Sequence, residues 1–410
     1  MVDNETVPKL RFSGFDNEWS THKLNELSEQ IKRKKENIAD EDNILTISAN
    51  KGFISQKERW DDVIAGKSLK KYTYLKKDEF SYNRGNSKSF KYGCIYRLNY
   101  ENALVPNVYH SFKIIGGNIN FFEQLFKSKQ LDKQLIKIIT STARMDGLLN
   151  ISAKNFFNID ITIPNNLKEQ KLIGDFLKLV DIKVELLENK YKNYLNFKKY
   201  LMQQIFTQKL RFDNTSEWET FALNDIGKTY NGLSGLSKDN FEKGNSKYIT
   251  YKSIFDNNIL KSDFTENVEL NNKSQNEVNK GDLFFTGSSE TPEEVGMVSV
   301  LNSTVKDCYL NSFCFGFRLN NNYDVNPLFL AYYLRSPIMR NKIMILAQGS
   351  TRFNLSKKEI LKLKVKIPSI SEQQQIIELF QNVDNKINEI SMQTDNFNEF
   401  KKGLLQQMFV

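Results

Sequence analysis

The residues best suited to catalysis are few: Cys94, Cys308 and Cys314, with His22 and His110. None of the cysteines stands at CxxC spacing, and two histidines cannot complete a Cys/His zinc site, so no metal site is expected. Neither histidine has a spaced acid and nucleophile in the sequence, which leaves both as structural or surface residues. Gly66-Lys67-Ser68 has the ending of a phosphate-binding loop, but Asp61 stands where that loop requires its first glycine. Asn326-Pro327-Leu328-Phe329 departs from an Asn-Pro-Pro-aromatic catalytic turn at its third residue, and an Asn-Pro turn opening a helix accounts for it. There is no Pro-Asp dipeptide for a common nuclease motif, and Glu188-Asn189-Lys190 lies in a periodic helical stretch where charges face solvent. The chain reads as non-catalytic.

What remains is cationic and hydrogen-bonding chemistry. Fifty-eight Lys and Arg against 49 Asp and Glu leave a net charge of +9, a balance suited to a polyanion. The excess is uneven. Residues 1–162 carry +6 and 163–212 carry +5, whereas 213–366 carry +1 and 367–410 carry −3. Residues 51–91 alone hold eleven basic and five acidic groups, the strongest footprint for phosphates. For phosphate or base contact the first half offers Lys51, Arg59, Lys67, Arg84, Lys88 and Arg144, and the second half Lys243, Lys252, Ser288, Ser289, Thr351, Arg352 and Asn354. The lysines compete with the ordinary role of a solvated charge. Arg84, Arg144 and Arg352 stand apart because each sits in a motif loop and a guanidinium fork matches the edge of guanine. Tyr72, Tyr74 and Tyr82 read as core or cross-strand aromatics.

The elements that must position these residues come from a duplication. Sliding the chain over itself by 203 residues superposes Glu169-Gln170 on Glu372-Gln373, Val180-Asp181 on Val383-Asp384, Phe197-Lys198-Lys199 on Phe400-Lys401-Lys402, and Gln203-Gln204 on Gln406-Gln407; between 169 and 206, 14 of 38 positions are identical. Both copies carry apolar residues at 3,4 spacing: Ile173, Leu177, Val180, Val184, Leu187, Tyr191, Tyr194, Leu201 and Ile205, then Ile376, Phe380, Val383, Ile387, Ile390, Phe397, Leu404 and Met408. A 3.5-residue period keeps one seam toward one partner, which predicts two long coiled-coil helices. Lys198 and Lys401 interrupt the seam at equivalent positions, as snorkelling stems or as polar positions that open the seam or fix register. Ile163-Pro164 and Ile367-Pro368 mark the entry to each helix, with Asn165 or Asn166 and Ser369 or Ser371 as N-caps.

Lys209-Leu210-Arg211-Phe212 follows the first helix, and the same four residues occur at Lys9-Leu10-Arg11-Phe12, each run leading to a tryptophan, Trp19 or Trp218. The end of the second helix should therefore meet residue 9, so that domain, helix, domain, helix closes as a cycle. Closure requires antiparallel helices and an approximate two-fold axis. The globular segments repeat more weakly, with Ile44 to Ile47, Ile249 to Tyr251 and Phe313 to Phe317 reading as strands, and Phe121 to Phe126 and Leu328 to Leu334 as helices. The expected fold is α+β: two tandem mixed α/β domains at 1–162 and 211–366, joined by spacer helices at 163–210 and 367–410.

Two variable domains, each ending in an Ile-Pro, Glu-Gln, Phe-Lys-Lys, Leu-x-Gln-Gln-x-Phe helix, resemble the specificity subunit of type I restriction-modification enzymes over nearly the whole chain. Lys280-Gly281-Asp282-Leu283-Phe284 and Gly349 to Ser356 support the likeness in the second half, and Phe80 to Arg84, Gly93-Cys94-Ile95 and Thr142 to Leu148 in the first. Lys77 replaces the glycine expected before Asp78, and Ser141 to Arg144 sits in a differently spaced loop, so the two domains belong to different recognition classes and read different half-sites. The resemblance implies a target-recognition domain at each globular segment, reading double-stranded DNA in the major groove. It implies helices that fix the spacing and dock two methyltransferase subunits, with translocating restriction subunits in the same assembly. S-adenosylmethionine, ATP and magnesium would belong to those partners, leaving this chain without a cofactor. The outer helix faces, including Lys178, Lys183, Glu185, Tyr191 and Lys192, are the expected partner surface.

A length of 410 residues with 40% apolar content supplies more than one core. Three cysteines, a polar start and the lack of an 18-residue apolar run point to a reducing, cytoplasmic setting with no membrane partner. An interaction scaffold, with coiled-coil helices and protein-binding ends, is the competing class.

Overall fold

The computed structural model describes residues 6–36, 43–60, 66–85, 87, 90–139, 148–270 and 274–410, with backbone alone at residues 60 and 66–68. The chain divides into two compact units, residues 1–188 with 392–410, and residues 189–391. Each unit is completed by one half of each long helix.

In the first unit the central sheet runs Ser28–Gln30, His110–Ile114, Phe80–Asn83, Cys94–Arg97, with antiparallel neighbours throughout. The second unit repeats this order with Gly227–Asn231, Cys314–Leu319, Leu283–Thr286 and Val298–Leu301, then adds Ile259–Leu260 at the edge. A short ribbon precedes each long helix: Ser20–Lys23 pairs with Asp160–Ile163, and Glu219–Ala222 with Lys364–Ile367. The central strands are apolar because both faces are covered: Leu283, Phe284, Phe285, Phe315 and Phe317 are all buried. The helices Ile119–Lys127 and Pro327–Leu334 pack on the sheets, started by the side chains of Asn118 and Asn326, which accept from Phe121 N and Leu328 N. The strand expected over Ile249 to Tyr251 is corrected in part. Its strand is Phe241–Ile249, and Thr250 then caps a helix, Tyr251–Asp256, by accepting from Ser253 N at 3.1 Å.

The long helices are Leu167–Phe206 and Ile370–Gln407, about 60 Å each at 1.5 Å per residue. Asn166 caps the first through Lys168 N at 2.9 Å, and Ser369 the second through Glu372 N at 3.3 Å. The seam residues are buried or half-buried in both copies, and in each unit the two helices run in opposite directions. In the first unit Ile173, Leu177 and Val180 share a core with Leu404 and Met408; in the second Tyr191, Tyr194, Leu201 and Ile205 share one with Ile376, Phe380, Val383 and Ile387.

The lysines that break the seam each meet a carboxylate of the facing helix. Lys401 lies 2.6 Å from Asp181 in the first unit, and Lys198 pairs with Asp384 in the second. Each aspartate also takes a bond from its globular domain, Asp181 from Lys127 and Gln124, and Asp384 from the Tyr332 hydroxyl. An equivalent Asp–Lys pair at the same place in both copies pins register, since a slip of one turn leaves each lysine half-buried without its carboxylate.

The duplicated Lys-Leu-Arg-Phe and Glu-Gln motifs also find their purpose. In the first unit Arg11 forks onto the buried Glu169 at 2.7 and 2.9 Å while the Trp19 indole donates to the same carboxylate at 3.2 Å. In the second, Arg211 forks onto the buried Glu372 at 3.2 and 2.7 Å and Trp218 donates at 3.0 Å. Gln170 and Gln373 then tie each helix to its preceding proline carbonyl at 2.9 Å. The cycle closes within the first unit: Leu10 N donates to Gln407 O at 2.9 Å, the counterpart of Leu210 N to Gln204 O at 3.1 Å.

Candidate nucleic-acid interface

In the second unit the strand Leu283–Thr286 leaves the sheet at Gly287 and continues as Ser288–Ser289. That pair is hydrogen-bonded to Phe353–Leu355, with Ser288 opposite Asn354 and Ser289 opposite Phe353, and Ala347–Gln348 forms the third strand. The connection through Gly349 adopts φ +130, and an added side chain there would strike the Arg352 carbonyl at 2.1 Å, so glycine is required for the hairpin that carries Arg352.

This ribbon floors a cleft of about 810 Å³ lined by Tyr251, Phe255, Ser288, Ser289, Glu290, Glu294, Phe313, Thr351 and Arg352. Four residues singled out from the sequence, Ser288, Ser289, Thr351 and Arg352, thus come together. The Arg352 guanidinium lies over the exposed Phe313 ring at 5.2 Å and donates to the Ser288 hydroxyl at 3.3 Å. Asn354 is exposed beside it, bonded to the Arg352 carbonyl at 3.3 Å. Lys252, on the helix with Tyr251, is exposed and paired with Asp256 at 2.5 Å, and Lys243 is exposed in the irregular strand Phe241–Ile249; neither lines the cleft.

Two arginines that the sequence reading missed hold the walls. Arg335 donates to the carbonyls of Ile254, Phe255 and Asn257 at 2.6 to 3.0 Å, fixing the end of the helix that carries Tyr251 and Phe255. Arg340 donates to the carbonyls of Glu293, Val295 and Gly296 at 2.6 to 2.9 Å, fixing the loop that carries Glu294. Burial pulls both guanidinium groups down to about 10, still cationic at neutral pH. Their only sequence signal is a charge inside an apolar helical stretch.

The corresponding edge of the first unit is built differently. Gly85 bridges Leu148 where Ser288 pairs with Asn354 in the second. Arg84 donates to the carbonyls of Val108 at 3.0 Å and Ile151 at 3.3 Å, so part of its fork serves the backbone. Arg59 donates to the Ile47 carbonyl at 3.1 Å, which Asn83 also reaches at 3.2 Å, and the exposed Lys51 lies 3.7 Å from Glu58. The side chain of Lys67, and all of Lys88 and Arg144, lie outside the described residues. On the long helices Lys178, Lys183, Glu185 and Lys192 are exposed and Tyr191 is half-buried. Between them runs a feature not foreseen: an exposed apolar stripe of Leu172, Leu179, Ile182 and Leu186, whose counterparts one repeat later are Gln375, Asn382, Asn385 and Glu389.

His22 does have neighbours of catalytic type, which corrects the sequence reading: Ser20 Oγ at 2.6 Å and Glu26 at 3.7 Å. The Ser20 hydroxyl donates to the Asn165 side chain, so its proton is directed to that amide rather than to His22. His110 is largely buried against the Ile151 carbonyl at 3.1 Å, and burial holds its imidazole below the usual range. Cys94, Cys308 and Cys314 are buried thiols pushed up to about 12 by desolvation. Among the described residues no group of three His, Cys, Asp or Glu could hold a metal, and no helix is long and apolar enough to cross a membrane.

Residues 215–396 match the family described as the type I restriction modification DNA specificity domain. The putative type I restriction enzyme MjaX specificity subunit of Methanocaldococcus jannaschii is 25% identical over 197 residues, 47% of this chain and 45% of the relative. This chain thus aligns with slightly under half the length of that relative. The type I restriction enzyme MjaVIII specificity subunit of the same organism is 22% identical over 297 residues, 68% of each chain. The crystal structure of the type I restriction-modification S subunit from M. genitalium shares the fold, with a TM-score of 0.56 at 16% identity, covering 98% of this chain and 99% of that one. The type I specificity domain thus matches residues 215–396, and the fold of an S subunit extends over nearly the whole chain.

Proposed function

We propose that this chain, whose second half carries the type I restriction modification DNA specificity domain, is the non-catalytic address-reading subunit of a restriction-modification assembly. Each unit reads one half of a bipartite, asymmetric DNA target. The observation that carries this reading is one frame built twice, with the same Arg–Glu–Trp tie in both units, holding two unlike edges: Ser288 and Arg352 over a cleft in one, Arg84 and Gly85 in the other. A shared frame with divergent edges suits two readers of different sequences on one duplex. Phosphate contacts from the basic first half supply affinity, and base-edge contacts supply discrimination.

The long helices set the spacing between half-sites and dock two methyltransferase subunits. The exposed stripe of Leu172, Leu179, Ile182 and Leu186, flanked by Lys178, Lys183 and Glu185, supports docking, because apolar residues at helical spacing offer a partner helix a seam. S-adenosylmethionine, ATP and magnesium act on the methyltransferase and restriction subunits.

Mapping methylated adenines across the genome of a host that carries this chain and its methyltransferase tests the proposal. Two unlike half-sites at one fixed gap are expected; methylation at a single uninterrupted motif refutes it. The same stripe favours a second reading, a protein scaffold without DNA specificity. Mobility shifts with random duplex at low and high salt separate the two, since a scaffold gives no salt-sensitive shift.

A further inference from the structure

The cleft of the second unit holds a cation and an anion on adjacent anchors. Ser288 receives a bond from Arg352 at 3.3 Å, and the next residue, Ser289, donates to Glu294 at 2.9 Å. Arg352 and Glu294 both line the same cleft, so the cation and the anion face one ligand. The Arg352 guanidinium is stacked on Phe313, and Ser288 is the sole hydrogen-bond partner of that guanidinium among the described residues, so the rest of its fork is open to the cleft. Glu294 commits one oxygen to Ser289, and its loop is clamped by three bonds from the half-buried Arg340.

A carboxylate on the wall of a DNA-binding cleft repels phosphate and opposes non-specific binding. A base edge that presents an amino donor compensates that repulsion, and in the major groove the amino group of cytosine is the partner a glutamate accepts from. The guanine of the same pair presents two acceptors to an arginine fork. We infer that Arg352 and Glu294 together read one G·C pair in the half-site of the second unit, with Arg352 on guanine and Glu294 on cytosine, and with Arg340 as the positioning residue for Glu294. The inference rests on the proposal that this unit binds DNA.

The test uses the assembled methyltransferase complex with the full-length wild-type chain, Glu294→Gln or Arg352→Lys, challenged with a duplex library randomised across the target and, separately, with non-specific duplex. For Glu294→Gln, discrimination at one G·C pair should fall by about ten- to a hundredfold, every other position of the motif should persist, and non-specific affinity should rise. Arg352→Lys should relax the same pair. An unchanged motif for Glu294→Gln, or an equal loss of affinity for all sequences, overturns the inference, since a merely structural glutamate would weaken cognate and random DNA alike. A wild-type complex with no preferred sequence overturns the underlying DNA reading and this inference with it.

Discussion

At the scale of single residues, the cleft separates groups that face a ligand from groups that hold the walls. Arg352→Ala removes an open guanidinium on an exposed ring, so it should leave the fold intact and weaken cognate DNA binding by about 1 to 3 kcal/mol, read from titrations of the assembled complex. Glu372→Ala is the opposite kind of change. It leaves the buried Arg211 fork and Trp218 indole without their acceptor, and should cost about 3 to 5 kcal/mol in denaturant unfolding of the chain. Ser288, Ser289, Thr351 and Arg352 stand out in the sequence as polar residues beside apolar runs, but that they meet across one ribbon depends on a strand pairing the sequence does not display. Arg335 and Arg340 do not stand out, because their partners are backbone carbonyls 37 to 81 residues away, and nothing local marks a carbonyl that needs a donor. Glu294 was passed over because an acid looks out of place in a DNA-binding chain until its serine tether is seen.

At the scale of elements, the long helices show what periodicity can and cannot say. The 3,4 pattern identified the seam and flagged Lys198 and Lys401 as misfits, but the acids they meet belong to the facing helix, and spacing along one helix carries no information about its neighbour. Burial would raise the Asp181 carboxyl, yet the ammonium groups of Lys127 and Lys401 outweigh it and hold the group below the usual carboxylate value. Its contribution to stability is therefore complete above about pH 4, the ordinary value of an unfolded aspartate, and is lost as pH falls through the lower folded value. Asp181→Asn should lower stability at neutral pH and flatten the acid limb of a melting-temperature profile taken from pH 7 to pH 2; a limb as steep as wild type would deny the pairing its role. Charge reversal tests register separately. Lys198→Asp alone should destabilise, and Asp384→Lys with Lys198→Asp should recover part of the loss, because the other hydrogen-bond partner of Asp384 is the neutral Tyr332 hydroxyl.

At the scale of the molecule, the architecture is written in the duplication: an offset of 203 residues, a shared Lys-Leu-Arg-Phe run and a repeated Glu-Gln pair imply a closed cycle, and the Leu10 to Gln407 bond supplies the closure. The unlike edges of the two units were less legible, because loops diverge where copies acquire different duties while the frame that carries them is held by packing. The central claim is that distance between two readers is part of what is recognised. Inserting seven residues, two turns of the seam, at matched points in both long helices preserves the facing of their apolar residues and adds about 10 Å. Sequencing methylated adenines in hosts carrying the wild-type or the lengthened chain with its methyltransferase measures the consequence directly. The account predicts the same two half-sites separated by about three more base pairs, at 3.4 Å each; half-sites at the original separation would contradict it.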